Sequence, residues 1–247
     1  MTEFIIGIAG RRVKICALYE YAKEFCKDYL TEGEPDFTVV VSPEDIDYER
    51  EKSAREDEVE GIPVREFSSD YLETLAIYRK IAEKMLDYGA FLFHGSAISV
   101  DGKGYLFTAK SGTGKSTHTY LWKRRFEGRY KTINDDKPLL CVQDDAVLAC
   151  GTPWDGKHRR SNNIQIPLKG VVILERGEVN EIEPVDAATA FPLFLQQTYR
   201  PKSPIAMTKT LLLLEQMMKK TGLYRLKCNM DPEAAQVAYD GMNRKDN

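Results

Sequence analysis

The stretch Ala109-Lys110-Ser111-Gly112-Thr113-Gly114-Lys115-Ser116-Thr117 decides how this chain is read. It has the spacing of a phosphate-binding loop (P-loop), with alanine at the first glycine position. Tyr105 to Thr108 before it reads as a strand, and Lys115 to about Phe126 after it as an amphipathic helix. Glycines 112 and 114 let backbone N–H groups turn inward around an anion, and the helix start adds positive potential. In that setting Ser111 to Thr117 would cradle the phosphates of a nucleotide. Lys115 reaches the β- and γ-phosphates, and the Ser116 hydroxyl ligates Mg²⁺. Average residue usage yields such a match in roughly one chain of this length in fifty, and the flanking strand and helix cut that further.

Three other stretches gain meaning from this one. Thr132-Ile133-Asn134-Asp135-Asp136 lies beyond the loop at the end of a strand. An ordinary turn can carry two aspartates. Beside a phosphate loop they can divide two jobs, one toward Mg²⁺ and one taking the acceptor's proton. Gly151-Thr152-Pro153-Trp154-Asp155-Gly156-Lys157-His158-Arg159-Arg160-Ser161 reads as a cationic loop. It is either a solvent loop pinned by Trp154 or a clamp on the γ-phosphate or on an anionic substrate. His94, after a strand and before Gly95, faces the site, whereas His118 in the helix is structural or exposed. Asp144-Asp145 has the look of a hairpin tip. The histidines have no metal-site spacing, and no G-x-S-x-G elbow marks a hydrolase.

The whole-chain composition is bland: 247 residues, 35 Lys+Arg against 38 Asp+Glu, a net charge of -3. That argues against a nucleic-acid partner. The five cysteines are scattered without a C-x-x-C pair and read as reduced core residues. No apolar run suits a membrane span, and Met1-Thr2-Glu3-Phe4 does not resemble a signal peptide, so a cytoplasmic protein without a membrane partner is expected. Homo-oligomerisation is compatible with all of this. The charge is unevenly placed. Ser42 to Glu60 carries nine acids against Arg50, Lys52 and Arg55, a net of -6, and reads as a solvated acidic helix. Lys103 to Lys131 carries eight bases against Glu127, a net of +7, around the glycine loop.

Periodicity gives an α/β chain. Phe4 to Ile8 and Val13 to Ala17 read as strands, Leu18 to about Leu30 as a helix, and Phe37 to Val41 as a strand. Ser42-Pro43 opens the acidic helix, and Asp70 with Glu73 forms a capping box for the next. After Gly89 short strands take over, at Phe91 to Phe93, Ala97 to Val100 and Tyr105 to Thr108, with a turn at Asp101-Gly102. Pro204 to Lys220 reads as a helix, Leu223 to Cys228 as a strand, and a short helix follows Asp231-Pro232-Glu233. The expected division is an α/β region of unknown role over residues 1–89 and a P-loop domain over 90–247.

Phe93-His94-Gly95, Ser111-Gly112-Thr113-Gly114-Lys115-Ser116 and Asp135-Asp136, in that order, resemble the catalytic domain of the HPr kinase/phosphorylase family. Gly151-Thr152-Pro153-Trp154 and Asp186-Ala187-Ala188 resemble its HPr-kinase-related branch, over roughly residues 90 to 230. The resemblance implies a P-loop core shared with phosphoenolpyruvate carboxykinase. It implies a Mg²⁺- and ATP-dependent transfer of the γ-phosphoryl group to a hydroxyl acceptor, serine foremost, on a protein, a peptide or a free amino acid. It places His94 near the phosphates or the acidic pair, Asp135 as general base and Asp136 on the metal side, the two being exchangeable. Lys157, Arg159 or Arg160 would take the place of the family's basic residues that contact phosphate or acceptor. The chain departs from HPr kinase at its Glu-x-Arg-Gly signature, where it reads Ala149-Cys150-Gly151-Thr152-Pro153-Trp154. Glu175-Arg176-Gly177, further on, is given no role. A non-catalytic nucleotide-binding regulator and a carboxykinase-like enzyme are the other readings.

Overall fold

In the computed structural model, which describes residues 1–110, 112–156 and 159–244, alternate residues of the first strand, β1 (Thr2–Ile8), face inward. Ala9 and Gly10, both at positive φ, turn the chain tightly into β2 (Arg11–Ala17). The expected helix from Leu18 to Leu30 is broken. Only α1 (Tyr21–Phe25) and a 3-10 turn over Lys27–Tyr29 form. The cause is competition at both ends. The Glu73 carboxylate accepts from Leu18 N–H at 2.5 Å and Tyr19 N–H at 3.1 Å, and Leu30 bridges to Ile6 of β1. β3 (Phe37–Val40) runs parallel to β2 and completes a sheet ordered β1-β2-β3.

Two long helices follow, α2 (Pro43–Glu60) and α3 (Ser69–Met85). The capping box forms at α2, where the Asp45 carboxylate accepts from Ser42 N–H at 3.0 Å. It does not form at Asp70 and Glu73, because Glu73 is fully buried and committed to the Leu18 and Tyr19 amides. Nor is α2 simply a solvated acidic helix. Arg79 of α3 bridges Glu49 at 2.6 Å and Asp45 at 3.0 Å, and Arg65 holds Asp57 at 2.6 Å. The chain divides into two compact units, Met1–Lys84 and Met85–Asn247, the break falling in the last turn of α3 ahead of Gly89.

The second unit is built on a nine-stranded mixed sheet. Its strands are β4 (Ala90–Leu92), β5 (Ser96–Val100), β6 (Lys103–Thr108), β7 (Tyr130–Asn134), β8 (Leu139–Val142), β9 (Val147–Cys150), β10 (Gln165–Arg176), β11 (Glu181–Pro184) and β12 (Gly222–Cys228). Its helices are α4 (Lys115–Arg125), α5 (Ala187–Gln197), α6 (Pro204–Lys220) and α7 (Glu233–Asn243). The long strand β10 organises the sheet. Its first residues pair antiparallel with β9, then past an irregularity at Leu168 it runs parallel to β6, with β12 parallel along its end. β5 and β6 join through Asp101 and Gly102, both at positive φ, and β7 pairs with β5. Asp144 and Asp145 sit at the β8–β9 hairpin tip.

Helices cover both faces of this sheet. Trp122 and Phe126 of α4 and Ala234 to Ala238 of α7 pack with Tyr105, Phe107, Val172 and Leu174. On the other side Phe194 of α5 and Leu214 and Met217 of α6 pack with Leu106, Val171 and Phe93. Each large side chain so buried contributes about 1.5–3 kcal/mol relative to exposure. β6 is consequently buried from Gly104 to Thr108, so the loop that follows it leaves a rigid support. Among the described residues no helix is long and apolar enough to cross a membrane. Four of the cysteines are buried and all five are free.

Candidate functional site

The loop between β6 and α4 turns on two glycines in the left-handed region, Gly112 at φ +75° and Gly114 at φ +118°. No atom lies within 4 Å of where a Gly112 Cβ would stand, so conformation rather than space requires the glycine. Gly114 is the N-cap of α4 and supplies no side-chain cap, so the helix start is open to an external anion. Arg176, at the end of β10, supports the loop. Its Nη2 donates to the Gly112 carbonyl at 2.7 Å and its Nε to the Thr113 carbonyl at 3.4 Å. Thr113 Oγ1 donates to the Lys110 carbonyl at 2.8 Å. Sequence reading gave Arg176 no role because only the sheet brings it here: β10 is the parallel neighbour of β6. Ser111 lies outside the described residues; Ser116 and Thr117 are exposed at the helix start.

Across from the loop stands the aspartate pair, on a turn built by Asn134. This side chain is fully buried, and its Oδ1 accepts from Asp136 N–H at 2.9 Å and Lys137 N–H at 2.7 Å. Its Nδ2 donates to Thr152 O, Thr152 Oγ1 and Trp154 O at 3.1, 3.0 and 3.3 Å. One amide thereby ties the aspartate turn to the segment after β9. His94 Nε2 lies 3.0 Å from Asp136 Oδ1, and Gly95 N–H donates to the Asp136 carbonyl at 2.9 Å. Ser96 Oγ donates to the Asp135 carbonyl at 3.2 Å. Burial works against ionising Asp136, but the His94 hydrogen bond and the charges of Lys137 and Lys115 prevail, and the carboxyl sits below its ordinary value. Lys115 is lowered by burial while Asp136 and Asp135 pull the other way. Lys115, Asp135, Asp136 and His94 thus share one electrostatic neighbourhood.

The segment after β9 differs from the exposed loop that its composition suggested. Residues 151–155 are buried, with Trp154 only 3% exposed. The Asn134 bonds hold them, and a Gly151 Cβ would fall 1.9 Å from the Asn162 carbonyl oxygen. Exposure begins at Gly156, whose Cβ position would lie 3.3 Å from Asp136 Cβ, so the loop sets out beside that aspartate. Asp155 closes it by accepting from Ser161 N–H at 2.7 Å, and burial raises its carboxyl above the usual value. Arg159, at φ +44°, and Arg160 are exposed, and Arg160 lies in the field of Tyr130, which also feels Asp135. Lys157 and His158 lie outside the described residues.

The glycine loop also lines a pocket of about 550 Å³. Gly112 to Gly114, Thr117, Leu121, Leu174 and Met230 are among its lining residues. His118 forms part of its wall and is structural: it is 3% exposed and accepts from Trp122 Nε1–H at 2.9 Å on Nε2. Burial drives its pKa down to about 3, so the ring stays neutral with its proton on Nδ1. Among the described residues no cluster of three or more His, Cys, Asp or Glu could hold a metal ion by itself.

No curated protein matches this chain. Among solved structures, the HPr(Ser) kinase/phosphatase from Coxiella burnetii superposes with a TM-score of 0.35 and 9% identity, over 60% of this chain and 94% of that one. A likeness of this size carries neither fold detail nor function across. The family model described as SynChlorMet cassette protein ScmC matches residues 65–230, starting within the N-terminal unit and spanning the glycine loop, the aspartate turn and β10. The chain belongs to the ScmC family of SynChlorMet cassette proteins.

Proposed function

We propose that the chain is an ATP-dependent phosphotransferase that moves the γ-phosphoryl group to a hydroxyl, serine foremost. The observation that carries this reading is the uncapped, glycine-opened start of α4 with Lys115 in the shared field of Asp135 and Asp136. An open helix start with an adjacent lysine suits a polyphosphate, and paired carboxylates suit a metal-assisted transfer. The resemblance of residues 90–230 to HPr-kinase-related proteins supports the same reaction class. The 550 Å³ pocket next to the loop has room for the nucleoside.

In this reading the described residues Gly112 to Thr117, with Ser111, bind the phosphates of ATP, and Arg176 keeps the loop in its binding shape. The Ser116 hydroxyl and the Asp136 carboxylate are the oxygen donors that would hold Mg²⁺. Bound there, Mg²⁺ would offset charge on the β- and γ-phosphates. His94 orients the Asp136 carboxylate through the 3.0 Å contact. Asp135 takes the proton of the acceptor hydroxyl as its oxygen bonds to the γ-phosphorus and the bond to the ADP oxygen breaks. Lys115, Arg159, Arg160 and Lys157 balance charge on the transferring group.

The test is a mass-spectrometric screen with Mg·ATP for acceptors that gain about 80 Da, using hydroxy amino acids and serine peptides. Asp135→Asn should bind nucleotide normally and lose transfer by about 10²–10⁴-fold. Near-normal transfer in that variant would remove Asp135 as the base. Tight Mg·ATP binding with no acceptor modified would replace the kinase reading by a nucleotide-binding regulator.

A further inference from the structure

A second cleft, of about 490 Å³, lies at the far end of α4 from the glycine loop, lined by Tyr120, Lys123, Arg124, Glu127, Gly128 and Tyr130. The cations here are divided. Arg125 donates to Gln236 Oε1 at 2.8 Å and Arg129 pairs with Asp101, so both serve the fold. Lys123 and Arg124 are exposed and, among the described residues, have no ion pair or side-chain hydrogen bond. Tyr120, 50% exposed, stands beside them with its ring equally unengaged among those residues.

The cleft is connected to the aspartate pair by β7. Tyr130 opens that strand, and Asp135 follows its last residue. The Tyr130 hydroxyl is 3.2 Å from Thr132 Oγ1, and both Asp135 and Arg160 act on it electrostatically. The Arg160 side chain also lacks a partner among the described residues. A strip of hydroxyls thus runs from one pair of unengaged cations to a third cation near the aspartates. Its length, five residues of extended chain, is about 17 Å.

We propose that this cleft binds an acidic segment of a polypeptide acceptor, with Asp or Glu carboxylates about five residues from the hydroxyl presented to Asp135. The placement relative to Asp135 rests on the phosphotransferase reading; the binding itself does not. Lys123 and Arg124 meet the carboxylates, and the tyrosines supply O–H donors and ring surface for the side-chain methylenes. Glu127 on the rim favours a short acidic cluster over a continuous polyanion. A nucleic acid would set phosphates against it, and the net charge of -3 would not assist.

The experiment uses the full chain and labelled peptides, each with one serine and a Glu pair about four to six residues to either side, with Gln counterparts. Fluorescence anisotropy reads binding and mass spectrometry reads phosphorylation. The Glu peptides should bind about tenfold more tightly than the Gln peptides, and the advantage should shrink with added salt. The double variant Lys123→Glu with Arg124→Glu should abolish it while leaving the KM for ATP unchanged. Equal binding of Glu and Gln peptides, or no effect of charge reversal, overturns the proposal. Acidic peptides that bind through Lys123 and Arg124 yet are never phosphorylated would uphold the cleft and overturn its placement relative to Asp135, whereas the phosphotransferase reading itself falls only if no acceptor in the wider screen is modified.

Discussion

The acidic helix α2 and the cationic stretch from Lys103 to Lys131 differ in what their charges touch. In α2, Glu49 is 2% exposed and bound by Arg79, which also holds Asp45, and Asp57 is bound by Arg65. Those acids are part of the fold of the N-terminal unit. In the cationic stretch, Lys115 faces the aspartate pair, and Lys123 and Arg124 are unengaged among the described residues. Net charge by segment therefore says little until each charge is matched with a partner. A paired buried charge reports on stability, and an unpaired exposed one reports on what the molecule meets.

The largest expected effect is on the cationic side. Lys115→Ala should lower phosphoryl transfer by about 10³-fold or more with the fold intact, read by turnover alongside thermal melting. A matching loss of stability would place Lys115 with the structural charges. On the acidic side the pattern should reverse. Arg79→Met leaves the buried Glu49 without its main partner and Asp45 with Lys80 alone, and should destabilise the N-terminal unit by about 3 kcal/mol, seen in urea titration, with nucleotide affinity unchanged. If stability holds and affinity falls, the two stretches are not divided as described.

His118 sharpens the comparison within the cationic stretch, since it is buried there and neutral. Its folded pKa, about 3, lies below that of the unfolded chain, so the unfolded state binds the extra proton. The stability it permits is fully present above about pH 6.5 and is lost as pH falls from there toward 3, by up to a few kcal/mol. His118→Gln should flatten the stability–pH curve in that window; an unchanged slope would mean the ring is not held neutral. The smallest effect concerns Arg176. Replacing it by alanine should raise the KM for ATP about tenfold with little change in kcat, because it holds the loop rather than the reacting atoms. A fall in kcat alone would move Arg176 into the chemistry.

Local patterns made much of the core readable. β6, α4, α6 and the β8–β9 hairpin follow from residue periodicity, turn residues and helix caps within a few positions. The residues that sequence reading missed work across the sheet. Asn134 is an ordinary turn residue until the segment at Thr152 to Trp154 comes into its reach. Arg176 matters only because β10 lies parallel to β6. Glu73 had the spacing of a capping box, and two amides more than fifty positions earlier in the chain outcompeted it. In each case a distant partner, invisible to local spacing, decided the role.

The central claim is that the glycine loop is the triphosphate site, and its geometry offers a direct test. Gly114, at φ +118°, occupies a conformation that a side chain with a branched Cβ hardly adopts. Calorimetric titration with Mg·ATP should show binding in the wild type and a loss of about a hundredfold or more in Gly114→Val, whose fold persists with the loss of stability, about 1–3 kcal/mol, that the strained backbone costs. Equal affinity in the two proteins, or no binding to the wild type, would contradict the account.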